Sequence, residues 1–137
     1  MKCLLLFTGS LFFFLAGSAQ AAVHKIVYDI TTADTAVQRG MLRQINNIMK
    51  DAPGSEVEVV CHGGAIFMLV KDKTVVLPAM EALQKQHGVS FAACNNSMRK
   101  NNIDSSALAG VSHIVPNGAL EVVSKQEQHW SYIRAGQ

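Results

Sequence analysis

The segment LPAMEALQKQHGVSFAACNNSM, residues 77–98, contains the pattern of a helix, a strand and the start of a second helix. Pro78 stands in the first turn of a run of good helix formers, and Gly88 follows that run at the position where glycine commonly ends a helix. Residues 89–93 are short, mostly apolar and typical of a strand, after which the chain turns at Cys94 toward a further helix. This order of elements predicts an α/β fold.

The residues before this unit repeat the alternation. Residues 24–30 are rich in β-prone side chains and predict the first strand. From Val37 to Met49 the apolar residues recur at helical spacing, with Asp34 placed as the N-cap and Pro53-Gly54 ending the segment. The first strand is therefore followed by one amphipathic helix.

A second strand is predicted over residues 57–61, and it leads directly into His62-Gly63-Gly64. The two glycines permit a tight turn or a close approach of two backbones. The apolar run over residues 65–70 follows this turn and is interpreted as a short helix.

After Cys94 the pattern predicts a short helix within residues 103–108 and a fourth strand over residues 111–115. A closing helix is predicted from Ala119 to Arg134, with the following side chains turned inward: Leu120, Val123, Trp130 and Ile133. The resulting order, βαβαβαβα, favours a small three-layer α/β sandwich. Its sheet of four to five strands would be mostly parallel, with helices on both faces.

The chain has 137 residues, of which 49% are hydrophobic, and this supports a single domain with a packed core. Twelve Lys and Arg against ten Asp and Glu leave a net charge of only +2, which argues against nucleic acid as a partner. Thioredoxin-type CxxC, dinucleotide-binding, P-loop and nucleophile-elbow motifs are all missing from the sequence. The chain therefore lacks the usual enzyme signatures.

The N-terminus has the features of a secretory signal peptide over residues 1–21. Lys2 precedes an apolar stretch over residues 4–15, and Ala19-Gln20-Ala21 has the small residues that precede cleavage. Cleavage would leave a mature domain of residues 22–137 in the periplasm, without a stable membrane anchor. An uncleaved membrane anchor is the alternative interpretation.

Cys94 is the strongest candidate for chemistry, because it falls between a strand end and a helix start. Ligands gather beyond the carboxyl ends of parallel strands, and backbone amides at a helix start stabilise a thiolate. The alternative is that Cys94 is a small buried hydrophobic residue.

Cys61 and His62 occupy the equivalent place after the second strand. Adjacent strand residues point to opposite faces, so a core Cys61 with a surface His62 is favoured over a catalytic pair. A Cys61–Cys94 disulfide requires the two strands to be neighbours. A metal site from these residues and His113 lacks supporting spacing, and no metal is predicted.

Several segments together resemble the DsrE/DsrF-like sulfur-relay family, across Lys25 to Arg134. The resemblance is carried by His62-Gly63-Gly64, His87–Met98, Ile103-Asp104, Val115–Ala119 and the late aromatic segment Trp130–Ile133. It implies an α/β fold that assembles into trimers or hexamers, so a homo-oligomer is expected. It also implies that Cys94 accepts sulfur as a persulfide from a donor protein and passes it to an acceptor, so no cofactor is expected.

Two functional hypotheses follow. The first is a periplasmic sulfur-handling protein in which Cys94 carries sulfane sulfur, with apolar residues 66–69 covering the site or a subunit interface. The second is a non-catalytic oligomeric binding module whose cysteines are structural or disulfide-bonded. If Cys61 resolves a persulfide or sulfenate on Cys94, the protein would instead be a thiol-redox element.

Overall fold

The computed structural model describes residues 22–136, which form one five-stranded parallel sheet with helices on both faces. The predicted signal peptide, residues 1–21, lies outside the described residues. Within residues 22–136, no helix is long and apolar enough to cross a membrane. The elements in chain order are β1 (Lys25–Ile30), α1 (Thr35–Asp51), β2 (Glu56–Cys61), α2 (Leu77–His87), β3 (Ser90–Cys94), α3 (Asn95–Lys100), β4 (Ser112–Val115), α4 (Gly118–Glu127) and β5 (Ser131–Arg134).

The predicted helix ends are confirmed at α1 and α2. The Asp34 side chain accepts a hydrogen bond from the Ala36 N–H at 2.8 Å, so it caps α1 as expected. Gly88 adopts a left-handed conformation with φ of 69° and ends α2. The apolar run after Gly64 is helical, as predicted, and forms a 3₁₀ segment over Gly63–Leu69.

The strand order β4-β3-β2-β1-β5 determines which helices share a face. From β1 to β4 each crossover moves the same way along the sheet, so right-handed connections place α1 and α2 on one face. The connection from β4 to β5 runs the other way, and it places α4 on the opposite face. We call these the α1 face and the α4 face.

Most of the core lies on the α1 face, where Tyr28, Ile45, Ile66 and Phe91 are fully buried. The Tyr28 hydroxyl has no hydrogen-bond partner within residues 22–136. The α4 face has a smaller apolar cluster, made of Val27, Val60, Ala92, Val115 and Val122, with Trp130 packed against it. The remaining side chains on the α4 face are largely polar, and they include the candidate site.

The prediction of one closing helix from Ala119 to Arg134 is wrong. The helix α4 ends at Glu127, because His129 takes a left-handed φ of 65° that turns the chain. Residues Ser131–Arg134 then form β5, which pairs in parallel with β1. β1 therefore lies between two strands, β2 and β5. The helical spacing of the apolar residues in this segment did not reveal β5.

The inward face of α4 also differs from the prediction. Leu120 is 64% exposed and Val123 is 47% exposed, whereas Val122 is buried. Gly118 and Val122 are four residues apart and share the side of the helix that packs on the sheet. The position of Gly118 against the sheet therefore turns Leu120 and Val123 toward solvent.

The apolar run over residues 66–69 does not form an exposed surface. Ile66, Met68 and Leu69 are each at most 1% exposed, because the 3₁₀ segment packs into the core of the α1 face. Only Phe67 is partly exposed, and the Lys73 ammonium lies 4.5 Å from its ring centroid. The run therefore supplies core packing, which removes it as a reason to expect a subunit interface.

Candidate functional site around Cys94

Cys94 is the last residue of β3, directly before α3, as predicted. The connection after β3 packs on the α1 face, whereas α4, which follows β4, packs on the other face. Cys94 thus lies where two neighbouring parallel strands send their connections to opposite faces, which is the usual position of sites in open α/β sheets.

The Cys94 sulfur is surrounded by hydrogen-bond donors. The Gly118 N–H, at the start of α4, donates to Sγ at 3.2 Å. Burial alone raises the pKa of the Cys94 thiol, but hydrogen bonds from Gly118, the Ser97 hydroxyl and the Ser97 and Asn96 backbone amides lower it, and the net shift is downward. The thiolate is therefore more populated than in an ordinary cysteine, which is what a nucleophilic or sulfur-accepting cysteine requires.

Gly118 can approach the sulfur because it has no side chain. A Cβ atom added there would lie 3.1 Å from the His62 Cβ, 3.2 Å from the Cys94 Cβ and 3.2 Å from a Val60 methyl carbon. These separations are shorter than ordinary carbon contacts. Gly118 therefore holds the start of α4 against the ends of β2 and β3.

Ser97 joins the turn after β2 to the site. Its hydroxyl oxygen accepts a hydrogen bond from the Gly63 N–H at 2.9 Å, while the hydroxyl hydrogen is available for the Cys94 sulfur. Gly63 has a positive φ of 58°, and a Cβ there would lie 3.1 Å from the Thr31 carbonyl oxygen. The close backbone approach predicted for this glycine pair is confirmed.

His62 lies beside Cys94 and belongs to a second hydrogen-bonded group. Its Nε2 lies 2.6 Å from Oδ1 of Asp29, and the Tyr132 hydroxyl donates to Oδ2 of the same carboxylate at 2.9 Å. Partial burial, with the hydrogen bond and charge of Asp29, raises the pKa of Tyr132, so the phenol remains a donor. His62 is three-quarters buried, not a surface residue as expected.

Cys61 is fully buried and faces away from this site. It pairs with Ala93 in the sheet register, and both residues belong to the core of the α1 face. Cys94 pairs with Val115, whose side chain belongs to the cluster on the α4 face. The two thiols are free, and they lie on opposite faces of the sheet. Burial raises the pKa of the Cys61 thiol, as expected for a structural cysteine.

A separate polar group lies further down the α4 face, around the buried carboxylate of Glu58. Lys125 donates to Glu58 Oε2 at 2.9 Å, and the Ser90 hydroxyl donates to the same oxygen at 3.2 Å. His113, considered above as a metal ligand with Cys94, lies 3.9 Å from Glu58 and is about half exposed. Within residues 22–136, no group of three or more His, Cys, Asp or Glu side chains is arranged to hold a metal ion.

Sequence reasoning missed two members of the Cys94 site, Asp29 and Tyr132, and the contact that Gly118 makes there. Asp29 lies near the start of the described residues and Tyr132 near their end, and only the pairing of β1 with β5 brings them together. Gly118 is recognisable in sequence as part of a turn, but its contact with Cys94 is a long-range one. The alternation of residues along β1 is the one available signal, because it places a carboxylate at Asp29 on the face opposite the core residues Tyr28 and Ile30.

The model of the DsrE/DsrF-like family matches residues 10–135. The chain belongs to this family. The DsrE/DsrF-like protein also resembles a solved structure, that of MTH1491, a protein of unknown function from Methanobacterium thermoautotrophicum. The two are 26% identical, with a TM-score of 0.77, and the match covers 81% of this chain and 98% of the archaeal one. No curated protein matches the sequence. Family membership and the predicted α/β fold are thus confirmed.

Proposed function

We propose that this DsrE/DsrF-like protein handles sulfur and carries sulfane sulfur as a persulfide on Cys94. The observation that carries the proposal is the set of hydrogen bonds converging on the Cys94 sulfur, with Gly118 N–H at 3.2 Å, which favour the thiolate. A thiolate is the species that attacks a sulfane sulfur. Family membership supports a sulfur-relay type of function.

The loading step is a nucleophilic displacement at sulfur. The Cys94 thiolate attacks a sulfane sulfur of the donor, a new S–S bond forms, and the donor's S–S bond breaks. The shortened donor leaves with the bonding electron pair, so the step needs no separate oxidant or reductant. The same exchange in reverse transfers the outer sulfur to an acceptor thiolate.

The burial of Cys94 bears on the donor. The residue is only 4% exposed, so little of its surface is open to a reactant. We therefore propose that a small donor such as inorganic polysulfide, or an extended persulfide side chain of a donor protein, loads Cys94. A broad protein surface would not reach it.

The location and assembly of the protein are also proposals. Lys2, the apolar stretch over residues 4–15 and Ala19-Gln20-Ala21 support export to the periplasm with cleavage before Ala22. N-terminal sequencing of the protein recovered from periplasmic extract would contradict this if it began at Met1. A homo-oligomer, trimer or hexamer, is proposed from family membership, and a monomer mass in light scattering at micromolar concentration would contradict it.

The decisive experiment is intact-mass spectrometry of the mature protein before and after incubation with polysulfide. The wild type and Cys61→Ala should each gain the mass of one or more sulfur atoms that a reductant removes, because both retain the thiol of Cys94. Cys94→Ser should gain none while keeping the same circular dichroism spectrum. Equal sulfur loading of Cys94→Ser would overturn the proposal.

The same samples test the second candidate, a binding module with structural cysteines. Its supporting observation is that both cysteines are at least 96% buried. It predicts no sulfur addition in any variant. An untreated mass two hydrogens below the reduced value would indicate a disulfide, in disagreement with the free thiols on opposite faces of the sheet.

A further inference from the structure

His62 and Cys94 are neighbours at the carboxyl edge of the sheet. The last register pair between β2 and β3 is Cys61 with Ala93, and His62 and Cys94 are the next residue on each strand. His62 continues the extended strand, since its N–H donates to the Ile30 carbonyl at 3.1 Å. Both side chains lie on the α4 face, where their Cβ atoms flank Gly118. Neighbouring strands are about 4.8 Å apart, so the two residues stand side by side.

The His62 ring is held in one orientation from the side away from Cys94. Asp29, on β1, takes the Nε2 hydrogen at 2.6 Å, and Tyr132, on β5, occupies the other carboxylate oxygen. A carboxylate accepts and does not donate, so Nε2 bears the hydrogen and Nδ1 of the neutral ring has a free lone pair. Within residues 22–136, Nδ1 takes part in no hydrogen bond.

This arrangement has the parts of a general acid–base residue. A carboxylate orients an imidazole and fixes its tautomer, and the nitrogen on the other side of the ring is left for proton exchange. The charged group in contact with His62 is the Asp29 carboxylate, and Arg134 lies opposite Asp29 in the register of β1 and β5. Tyr132 and Cys94 are the remaining titratable groups beside it.

We infer that His62 is the proton acceptor and donor for sulfur exchange at Cys94, with Asp29 and Tyr132 as its positioning residues. The inference rests on Cys94 being the reacting group of the proposed function. His62 is then a second reacting residue of the site. The donors that it serves are persulfides of alkyl thiols, because their leaving thiolates need a proton.

The step balances without an added reagent. The Cys94 thiol gives its proton to His62 Nδ1, and the thiolate attacks the outer sulfur of a donor R–S–SH. The new S–S bond forms as the donor's S–S bond breaks, and R–S⁻ leaves with the electron pair. That thiolate takes the proton from Nδ1, which yields Cys94–S–SH, R–SH and a neutral His62.

The test compares two small probes on the intact protein at one fixed pH near neutrality. Hydroxyethyl disulfide releases an alkyl thiolate, which benefits from protonation, whereas methyl methanethiosulfonate releases a sulfinate, which is a stable anion. His62→Gln keeps an N–H donor for Asp29 and removes the imidazole ring. The rate of Cys94 modification is followed by intact mass. Each variant is made in the Cys61→Ala protein, so that the modification followed is that of Cys94.

His62→Gln should slow the disulfide reaction by roughly 100-fold, the low end of general acid–base contributions, and slow the thiosulfonate reaction far less. Asp29→Asn should likewise slow the disulfide reaction more than the thiosulfonate reaction. It keeps the test valid if His62→Gln folds poorly. His113→Gln, a half-exposed histidine on the same face, should leave both rates unchanged. Equal losses with both probes, or no loss with either, would overturn the inference.

These outcomes are separate from those of the proposed function. Neither probe contains sulfane sulfur, so the ratio reports on His62 even if Cys94 never accepts sulfur from polysulfide. Conversely, Cys94 could load persulfide while the ratio of the disulfide rate to the thiosulfonate rate is the same in wild type and His62→Gln. That result would support the proposed function and reject the role of His62.

Discussion

Gly118 donates its backbone N–H to the Sγ atom of Cys94 at 3.2 Å, across 24 residues of sequence. The contact joins the end of β3 to the start of α4, on the face of the sheet opposite the main core. The Gly118 amide belongs to the first turn of a ten-residue helix, where backbone N–H groups have no partner within the helix. Its hydrogen is therefore available to the sulfur. The ionisation state of Cys94 is therefore coupled to how closely α4 packs on the sheet.

Replacing Gly118 with Ala should weaken both the fold and the site. The added Cβ would lie 3.1–3.2 Å from atoms of His62, Cys94 and Val60, so α4 must move outward. We expect the free energy of unfolding in urea to fall by about 1–3 kcal/mol, as in other overpacked sites. Gly110→Ala is the matched control, because a Cβ there meets nothing within 4 Å. Equal stability of the two variants would contradict the close contact at Gly118.

Removing the Ser97 hydroxyl should raise the pKa of Cys94, because the hydrogen bond from that hydroxyl favours the thiolate. The rate of alkylation of Cys94 by iodoacetamide near neutral pH should therefore fall several-fold in Ser97→Ala, and the midpoint of its pH dependence should move upward. Ser105→Ala, at an exposed 3₁₀ turn, serves as the control. An unchanged midpoint in Ser97→Ala would show that this hydroxyl does not stabilise the thiolate.

The stability of the protein should depend on pH through Glu121. Burial, followed by the charge and hydrogen bond of Glu58, raises the pKa of Glu121, so the folded state favours its protonated form. Its contribution to stability is present at low pH and is lost as the pH rises through the folded pKa. Glu121→Gln should therefore gain stability relative to wild type between about pH 4 and pH 8.

The gain in Glu121→Gln should be below about 1 kcal/mol, since the side chain is partly exposed and its pair with Lys125 is lost as well. Urea unfolding at both pH values measures it, with Glu127→Gln as a control on the exposed end of the same helix. A constant difference from wild type at all pH values would exclude the coupling to Glu58.

Tyr28→Phe should stabilise the protein. The Tyr28 hydroxyl is buried without a hydrogen-bond partner among the described residues, so its removal relieves a desolvation cost of about 1 kcal/mol. Burial also raises the pKa of Tyr28 to about 12, and the contribution of Tyr28 to stability is therefore lost as the pH rises above about 10. The variant should resist alkaline unfolding better than wild type. Reduced stability at neutral pH would show that the hydroxyl has a partner.

Local patterns in the sequence were sufficient for much of the fold. The helix over residues 77–87 was predicted with both ends correct, because Pro78 and Gly88 each have strong positional preferences. The short apolar strands were equally clear, and they placed Cys94 at a strand end. β5 was missed because its four residues lie at the edge of the sheet and follow a helix without a proline or glycine between them.

Three features follow from the residues without the tertiary structure: the order of the elements up to β4 and α4, the position of Cys94 between a strand and a helix, and the resemblance to the family. Tertiary structure decided which residues of different strands lie side by side. The parallel register sets His62 beside Cys94, and the return of the chain to β1 brings Tyr132 to Asp29. Periodicity encodes local conformation, whereas the pairing of distant strands depends on how the whole core packs.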